Sequence, residues 1–325
     1  MSETMTMAKA LNAGLRRALE ADPKVLLAGE DIGQLGGVFR ITEHLQRDFG
    51  PERVVDSPLA ESGIVGTALG MALRGYRPVV EIQFDGFVYP AFDQIVSQVS
   101  RMRFRSMGRL SVPMVIRIPS GGGIGAIEHH SESPEAYFAH TPGLVVVAPS
   151  TPLDAYWMIQ QAVASDDPVI FFEPKRRYHE KGEVDLTAPP LPLDAARVVL
   201  EGSDVTLITY GPMVKTCVEA ALAASAEGRS VEVIDLRSLS PLDDATLRVS
   251  VEKTGRAVVV HEAVRSGGLG GEIAARLQED CFYSLEAPVL RVTGYDMPYP
   301  PSRVEKNYLP DLDRILDAVD RSLAH

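Results

Sequence analysis

Short apolar runs alternate with helical patterns along almost the whole chain, and that alternation leaves few folds open. Leu144-Val145-Val146-Val147 is apolar at every position. A strand that is apolar on both faces belongs in a parallel sheet covered on both sides. Further candidate strands are Val25–Ala28, Arg53–Asp56, Pro78–Gln83, Pro113–Ile118 and Val169–Phe172. Helical patterns lie between them at 61–74, 91–105 and 152–164. Strand–helix alternation of this kind predicts an α/β layer fold with right-handed crossovers.

The pattern then stops. The stretch Pro174–Leu193 holds Lys175-Arg176-Arg177, Lys181, Glu183 and prolines 174, 189, 190 and 192, with no period, and reads as a linker. Alternation resumes with strands at 205–209, 231–236, 257–261 and 289–292. The matching helices fall at 214–226, 243–253, 271–279 and near 312–323. The fold class is therefore α/β with two doubly wound domains, residues 1–190 and 191–325. A chain of 325 residues is ordinary for two domains.

Composition excludes several classes. The net charge is −12, which would repel nucleic acid. Cys217 and Cys281 are the only cysteines, so no disulfide scaffold forms, and two thiols fit a cytoplasmic location. The most apolar short run, Leu144–Ala148, is far below the ~20 residues of a membrane span. Near the N-terminus Met7, Leu11, Leu15 and Leu19 form one face of an amphipathic helix, not a targeting signal.

Five segments bear on chemistry. Glu61 opens a helix that also contains Gly63, Gly66 and Gly70. An acid there favours the helix dipole. Each glycine costs about 1 kcal/mol relative to Ala, so the helix is expected to pack closely on something and to leave Glu61 in a dry junction. Gly121-Gly122-Gly123-Ile124-Gly125 and Gly267-Gly268-Leu269-Gly270-Gly271 lack the spacing of a nucleotide-binding fingerprint and read as tight loops. Glu128-His129-His130-Ser131 follows the first of these. Adjacent histidines diverge on most backbones, so a shared metal site is not expected, and His130 stands as either a loop residue or a proton carrier. Phe84-Asp85-Gly86-Phe87 closes a strand, where aromatics either fill the core or stack on a flat ring.

In order along the chain, these pieces resemble the beta chain of the thiamine-diphosphate-dependent decarboxylating component of 2-oxo acid dehydrogenase complexes. The resemblance runs from about Met5 to the C-terminus. It is carried by Pro58-Leu59-Ala60-Glu61, Glu81-Ile82-Gln83-Phe84, Ala91-Phe92-Asp93-Gln94-Ile95 and His130-Ser131. Later marks are Val233-Ile234-Asp235-Leu236-Arg237, Lys253-Thr254-Gly255-Arg256 and Leu285-Glu286-Ala287-Pro288.

The resemblance implies a pyrimidine-binding domain followed by a transketolase-type C-terminal domain. It implies that Glu61 hydrogen-bonds the aminopyrimidine of thiamine diphosphate, that Phe87 lies beside that ring, and that His130 is the active-site histidine. A Gly-Asp-Gly metal–diphosphate motif is missing here, since Asp85-Gly86 follows Phe84. The resemblance therefore implies that magnesium and the diphosphate are held by an alpha chain. Two alpha and two beta chains would form the working unit, with Gly63, Gly66 and Gly70 allowing close helix contact. A lipoyl acyltransferase core is the implied further partner; the net charge of −12 and the acidic tail Asp311, Asp313, Asp317 and Asp320 lead us to expect docking to its basic subunit-binding domain. A potassium site is implied at Met114, Ala162, Val163, Ser165 and Asp167.

The segments 130–140 and 171–175 look more like branched-chain than pyruvate members. The expected activity is thus branched-chain 2-oxo acid dehydrogenase, with pyruvate dehydrogenase as the alternative. A nucleotide-binding electron-transfer subunit and a scaffold chain are more distant readings. The first lacks a fingerprint, and intact Glu61, Phe87 and His130 argue against the second.

Overall fold

The computed structural model describes residues 2–325. Its strands are β1 (Ser2–Thr6), β2 (Val25–Gly29), β3 (Val54–Asp56), β4 (Arg77–Glu81), β5 (Val115–Ser120), β6 (Val145–Val147) and β7 (Val169–Pro174). They continue as β8 (Lys181–Asp185), β9 (Arg197–Leu200), β10 (Val205–Thr209), β11 (Val231–Asp235), β12 (Ser238–Ser240), β13 (Ala257–Val264) and β14 (Leu290–Gly294).

Seven strands form one sheet in the order β12-β6-β7-β5-β4-β2-β3, parallel except at β12. Five form a second sheet, β14-β13-β10-β11-β9, parallel except at β9. The apolar runs are strands because both faces are covered: every residue of β2, β10 and β11 is buried.

The first helix, Met7–Ala21, is capped by Thr6, whose hydroxyl accepts from Lys9 N at 3.3 Å. It buries Leu11, Leu15 and Leu19 against helix Pro152–Ala164. The contact is close enough that a Cβ on Gly14 would lie 2.4 Å from Ile159 Cγ2. At the centre of the large sheet Arg117 of β5 is buried between Glu81 of β4, at 2.7 Å, and Glu173 of β7, at 2.6 Å. Tyr178 donates to Glu173 at 2.6 Å, so each charge is met by opposite charge or a donor.

Two local readings need correction, and one strand pairing was not foreseen. The stretch 174–193 is not a free linker. Residue Pro174 ends β7, Lys175 is buried, and β8 pairs antiparallel with β1 from Ser2↔Asp185 to Thr6↔Lys181. Its partner strand lies far away in sequence, so no local period marks it. The helix expected at 91–105 is broken into a 3₁₀ turn at Asp85–Ala91, a π-helical stretch at Gln94–Val99 and a short helix at Met102–Arg105. Pro90 lies inside the first piece and has no N–H to continue a ladder. Finally, β12 comes from the second half of the chain yet joins the first sheet, pairing with β6.

Candidate active site

Because β2, β3, β4 and β5 run parallel, their carboxyl ends open onto one edge of the sheet, where α/β folds carry chemistry. Glu30 follows β2. Glu61 follows β3 as the first residue of helix Glu61–Leu73. Phe87 follows β4 within the 3₁₀ turn, and His130 follows β5 at the end of a second one, Glu128–His130. The parallel register thus gathers residues that sequence alone could only enumerate.

Glu61 is 8% exposed, and the residue before it caps the helix without a side-chain bond, so the first turn keeps its positive end for the carboxylate. Glu30 was not singled out from sequence. Its Oε1 is buried without a hydrogen-bond partner, and its carboxyl is pushed up by burial, then by the neighbouring charges of Glu61 and Asp31. The available signal was an acid directly after a wholly apolar strand. Of the glycines of the Glu61 helix only Gly66 packs within the chain, where a Cβ would lie 3.4 Å from Gln94 Oε1. Gly63 and Gly70 are exposed, and a Cβ on Gly70 would meet nothing within 4 Å.

The His130 ring lies beside Phe84, with centroids 4.0 Å apart, and edge-on to Phe87 at 5.1 Å. Its Nδ1 is buried without a partner. Burial, then the His129 and Lys175 charges, hold its pKa below the ordinary value, so the imidazole rests neutral. His129 is exposed, yet its ring does not diverge from that of His130: the two meet edge to face, with centroids 4.9 Å apart. Beneath them Lys175 and Asp85 form a fully buried ion pair, and Lys175 Nζ also donates to the His130 carbonyl at 2.6 Å. Neither residue of this pair was picked out as functional, because the lysine sat in the supposed linker. Gly86 lets the His130 turn approach: a Cβ there would stand 2.4 Å from the His129 carbonyl oxygen.

Neither glycine run is an open phosphate cradle. Gly122 and Gly123 already donate to Glu262 and Glu305. Gly270 donates to His261 Nε2 at 3.2 Å, and a Cβ on it would lie 2.7 Å from that atom. The loop expected to hold potassium also carries its own cation. Arg77 donates to the carbonyls of Val163 at 3.1 Å and Ser165 at 2.9 Å. The carbonyl oxygens of Ala162 and Met114 accept from Ser165 and Val169, and Asp167 pairs with Arg103. These groups are engaged by the chain's own donors, and we assign no potassium ion to them.

Residues 3–181 match the transketolase pyrimidine-binding domain and residues 194–315 the transketolase C-terminal domain. Fold and matched domains together define a transketolase-type, thiamine-diphosphate class of protein. The pyruvate dehydrogenase E1 component subunit beta of Leifsonia xyli subsp. xyli is 64% identical over 323 residues, 99% of this chain and 96% of that one. The 3-methyl-2-oxobutanoate dehydrogenase subunit beta of Mycobacterium tuberculosis is 54% identical over 324 residues, 99% and 93% of the two chains. A solved structure titled split gene transketolase, inactive beta4 tetramer, shares the fold, with a TM-score of 0.81, 24% identity and 98% of both chains covered. This chain belongs to the family of beta subunits of the first, decarboxylating component of 2-oxo acid dehydrogenase complexes.

Proposed function

We propose that this chain is the beta subunit of a branched-chain 2-oxo acid dehydrogenase, divided functionally at about residue 190. It decarboxylates branched-chain 2-oxo acids together with an alpha chain and passes the acyl group to the lipoyl arm of an acyltransferase core. The reading is supported by the positions of Glu61, Phe87 and His130 after the carboxyl ends of β3, β4 and β5, and by the ring contact of Phe87 with His130. The residues fit the pyrimidine end of thiamine diphosphate. Glu30 Oε1 and His130 Nδ1 are buried and unpartnered, and an aromatic side chain lies beside the histidine.

When bound, the cofactor supplies the electron sink for decarboxylation. Magnesium and the diphosphate belong to the alpha chain, because this chain has no Gly-Asp-Gly. The Glu61 carboxyl holds a proton at a pyrimidine nitrogen. Phe87 covers the ring and excludes water. The His130 imidazole, neutral at rest, takes up a proton and delivers it to the departing lipoyl sulfur. Gly63, Gly66 and Gly70 present a side-chain-free face for helix contact in an assembly of two alpha and two beta chains.

The core docks to this chain through a basic domain that meets the acidic C-terminal helix. Asp311 caps the helix, Asp317 pairs with Arg321 and Asp320 with Arg229. Asp313 and Asp317 border a hollow of about 390 Å³ that also holds Arg265, Arg291, Arg314 and Arg321. No helix is long and apolar enough to cross a membrane among the described residues. We place the assembly in the cytoplasm.

The branched-chain preference rests on the character of residues 130–140 and 171–175. Pyruvate is the second reading, favoured by the 64% identical relative named as a pyruvate dehydrogenase subunit. The test is turnover by the chain reconstituted with an alpha chain. We expect no turnover by the beta chain alone and a higher kcat/KM for 3-methyl-2-oxobutanoate than for pyruvate. The reverse order would transfer the assignment to pyruvate, and full turnover without an alpha chain would refute the divided site.

A further inference from the structure

The glycine run after β5 is shaped around a carboxylate that arrives from the far end of the chain. Glu305, 7% exposed, accepts from Gly123 N at 2.5 Å through Oε1 and from Gly125 N at 3.0 Å through Oε2. The Tyr299 hydroxyl donates to the same Oε1 at 2.9 Å and accepts from Gly123 N at 3.2 Å. Gly121, Gly123 and Gly125 have φ of +82°, +89° and +72°, a region that side chains rarely adopt. A Cβ on Gly122 would lie 1.9 Å from the Tyr299 hydroxyl. The amides of Gly123 and Gly125, both turned toward Glu305, form an anion-binding nest, and here the anion is built into the chain.

The nest is joined to the active site. Gly121 N donates to the Glu132 carbonyl at 2.8 Å, which closes residues 121–132 into one loop. One limb of that loop is held by Glu305, and the other carries His130. Tyr299 and Glu305 together tie the exposed residues Gly123 to Gly125 to the second half of the chain. An amide in place of the carboxylate would face its NH₂ toward a donor amide, and a shorter acid would fall out of reach.

We propose that Glu305 is a positioning residue for His130, acting through the 121–132 loop; this rests on the reading of His130 given above. Loss of the carboxylate frees the loop and spreads the imidazole over several positions, while binding of the 2-oxo acid is untouched.

The test uses the full chain. Amide hydrogen exchange across residues 121–131 is compared in wild type, Glu305→Gln and Glu305→Ala, with β10 and β13 as internal references. We expect exchange on the order of tenfold faster in the loop of both variants, with the reference strands unchanged, as for loss of a charge-assisted hydrogen bond. Added acetate should slow it again in Glu305→Ala, where the nest is vacant, and chloride at equal ionic strength should not. In the enzyme assembled with an alpha chain, Glu305→Ala should lower kcat for lipoyl acylation, leave KM for the 2-oxo acid in place and regain activity with acetate. Unchanged loop exchange, or an equal rise in β10 and β13, would overturn the proposal. If Glu305→Ala does not fold, Tyr299→Phe decides: faster exchange at Gly123 supports the clamp, and wild-type exchange there overturns it. The exchange measurement reads the clamp whatever His130 does. His130→Ala reads the histidine whatever Glu305 does, so the two failures are told apart.

Discussion

Lys175 reaches the main-chain carbonyl of His130 at 2.6 Å while its ammonium is paired, out of contact with water, with Asp85. A charge buried under a catalytic turn is expensive unless paired, so this pair fixes where the turn can sit. Lys175→Met should cost about 3–5 kcal/mol, the range for stranding one partner of a buried pair. Burial already pushes the Asp85 carboxyl up to about 7. A raised carboxyl pKa stabilises the fold below the unfolded value and loses that contribution as pH rises through the folded one. Urea unfolding should therefore show a larger loss at pH 8 than at pH 5, with part regained in Lys175→Met with Asp85→Asn. An equal loss at both pH values would show that Asp85 is not the stranded group.

Gly86→Ala should displace the His130 turn. The new Cβ would stand 2.4 Å from the His129 carbonyl oxygen and 2.5 Å from its Cβ, and backbone must yield. Overpacking of this kind costs about 1–3 kcal/mol. Activity of the assembled enzyme should fall together with the unfolding midpoint in denaturant. A variant with wild-type midpoint and activity would mean that the two turns are not in close contact in solution.

Stability should decline below neutral pH partly through His261. Its Nε2 accepts from Gly270 N and its Nδ1 donates to the Ala263 carbonyl, a pattern only the neutral ring supports. Burial, the leading cause, lowers its pKa to about 4. A depressed value means stability fully present above the unfolded pKa of about 6.5 and lost as pH falls through the folded one, up to about 3 kcal/mol as an order of magnitude. His261→Asn should flatten the pH dependence of unfolding between those values. A slope identical to wild type would assign the decline to other groups.

Glu61→Gln should fold and assemble yet lose about 10²-fold or more in turnover, because an amide keeps the shape but cannot hold and release the proton. Circular dichroism and the activity of the assembled enzyme check both halves. Near-normal turnover would remove Glu61 from proton transfer.

His130→Ala should lose about 10²–10⁴-fold in acyl transfer to a lipoyl domain, the range for a positioned acid. It should keep a larger share of decarboxylation measured with an artificial electron acceptor, which needs no proton on a leaving sulfur. Equal losses in the two assays would reduce His130 to an ordering role.

The parallel strands were legible from sequence because their signal is local. A run such as Val145–Val147 is apolar on both faces wherever it ends up, and the helices that cover it carry their own period. The motif around Glu61 and the pair His129-His130 could likewise be found by reading along the chain. What only the tertiary structure decided is set by partners distant in sequence. Lys181–Asp185 is a strand because Ser2–Thr6 lies beside it, and Ser238–Ser240 because Val145–Val147 offers an open edge. Arg77 reaches the carbonyls of a loop that its own neighbours do not foretell. The run Gly121–Gly125 reads as a turn until Glu305 is placed inside it. Propensity and periodicity act over a few residues, whereas a buried charge or an inward-facing amide takes whatever partner the folded chain brings within hydrogen-bonding distance.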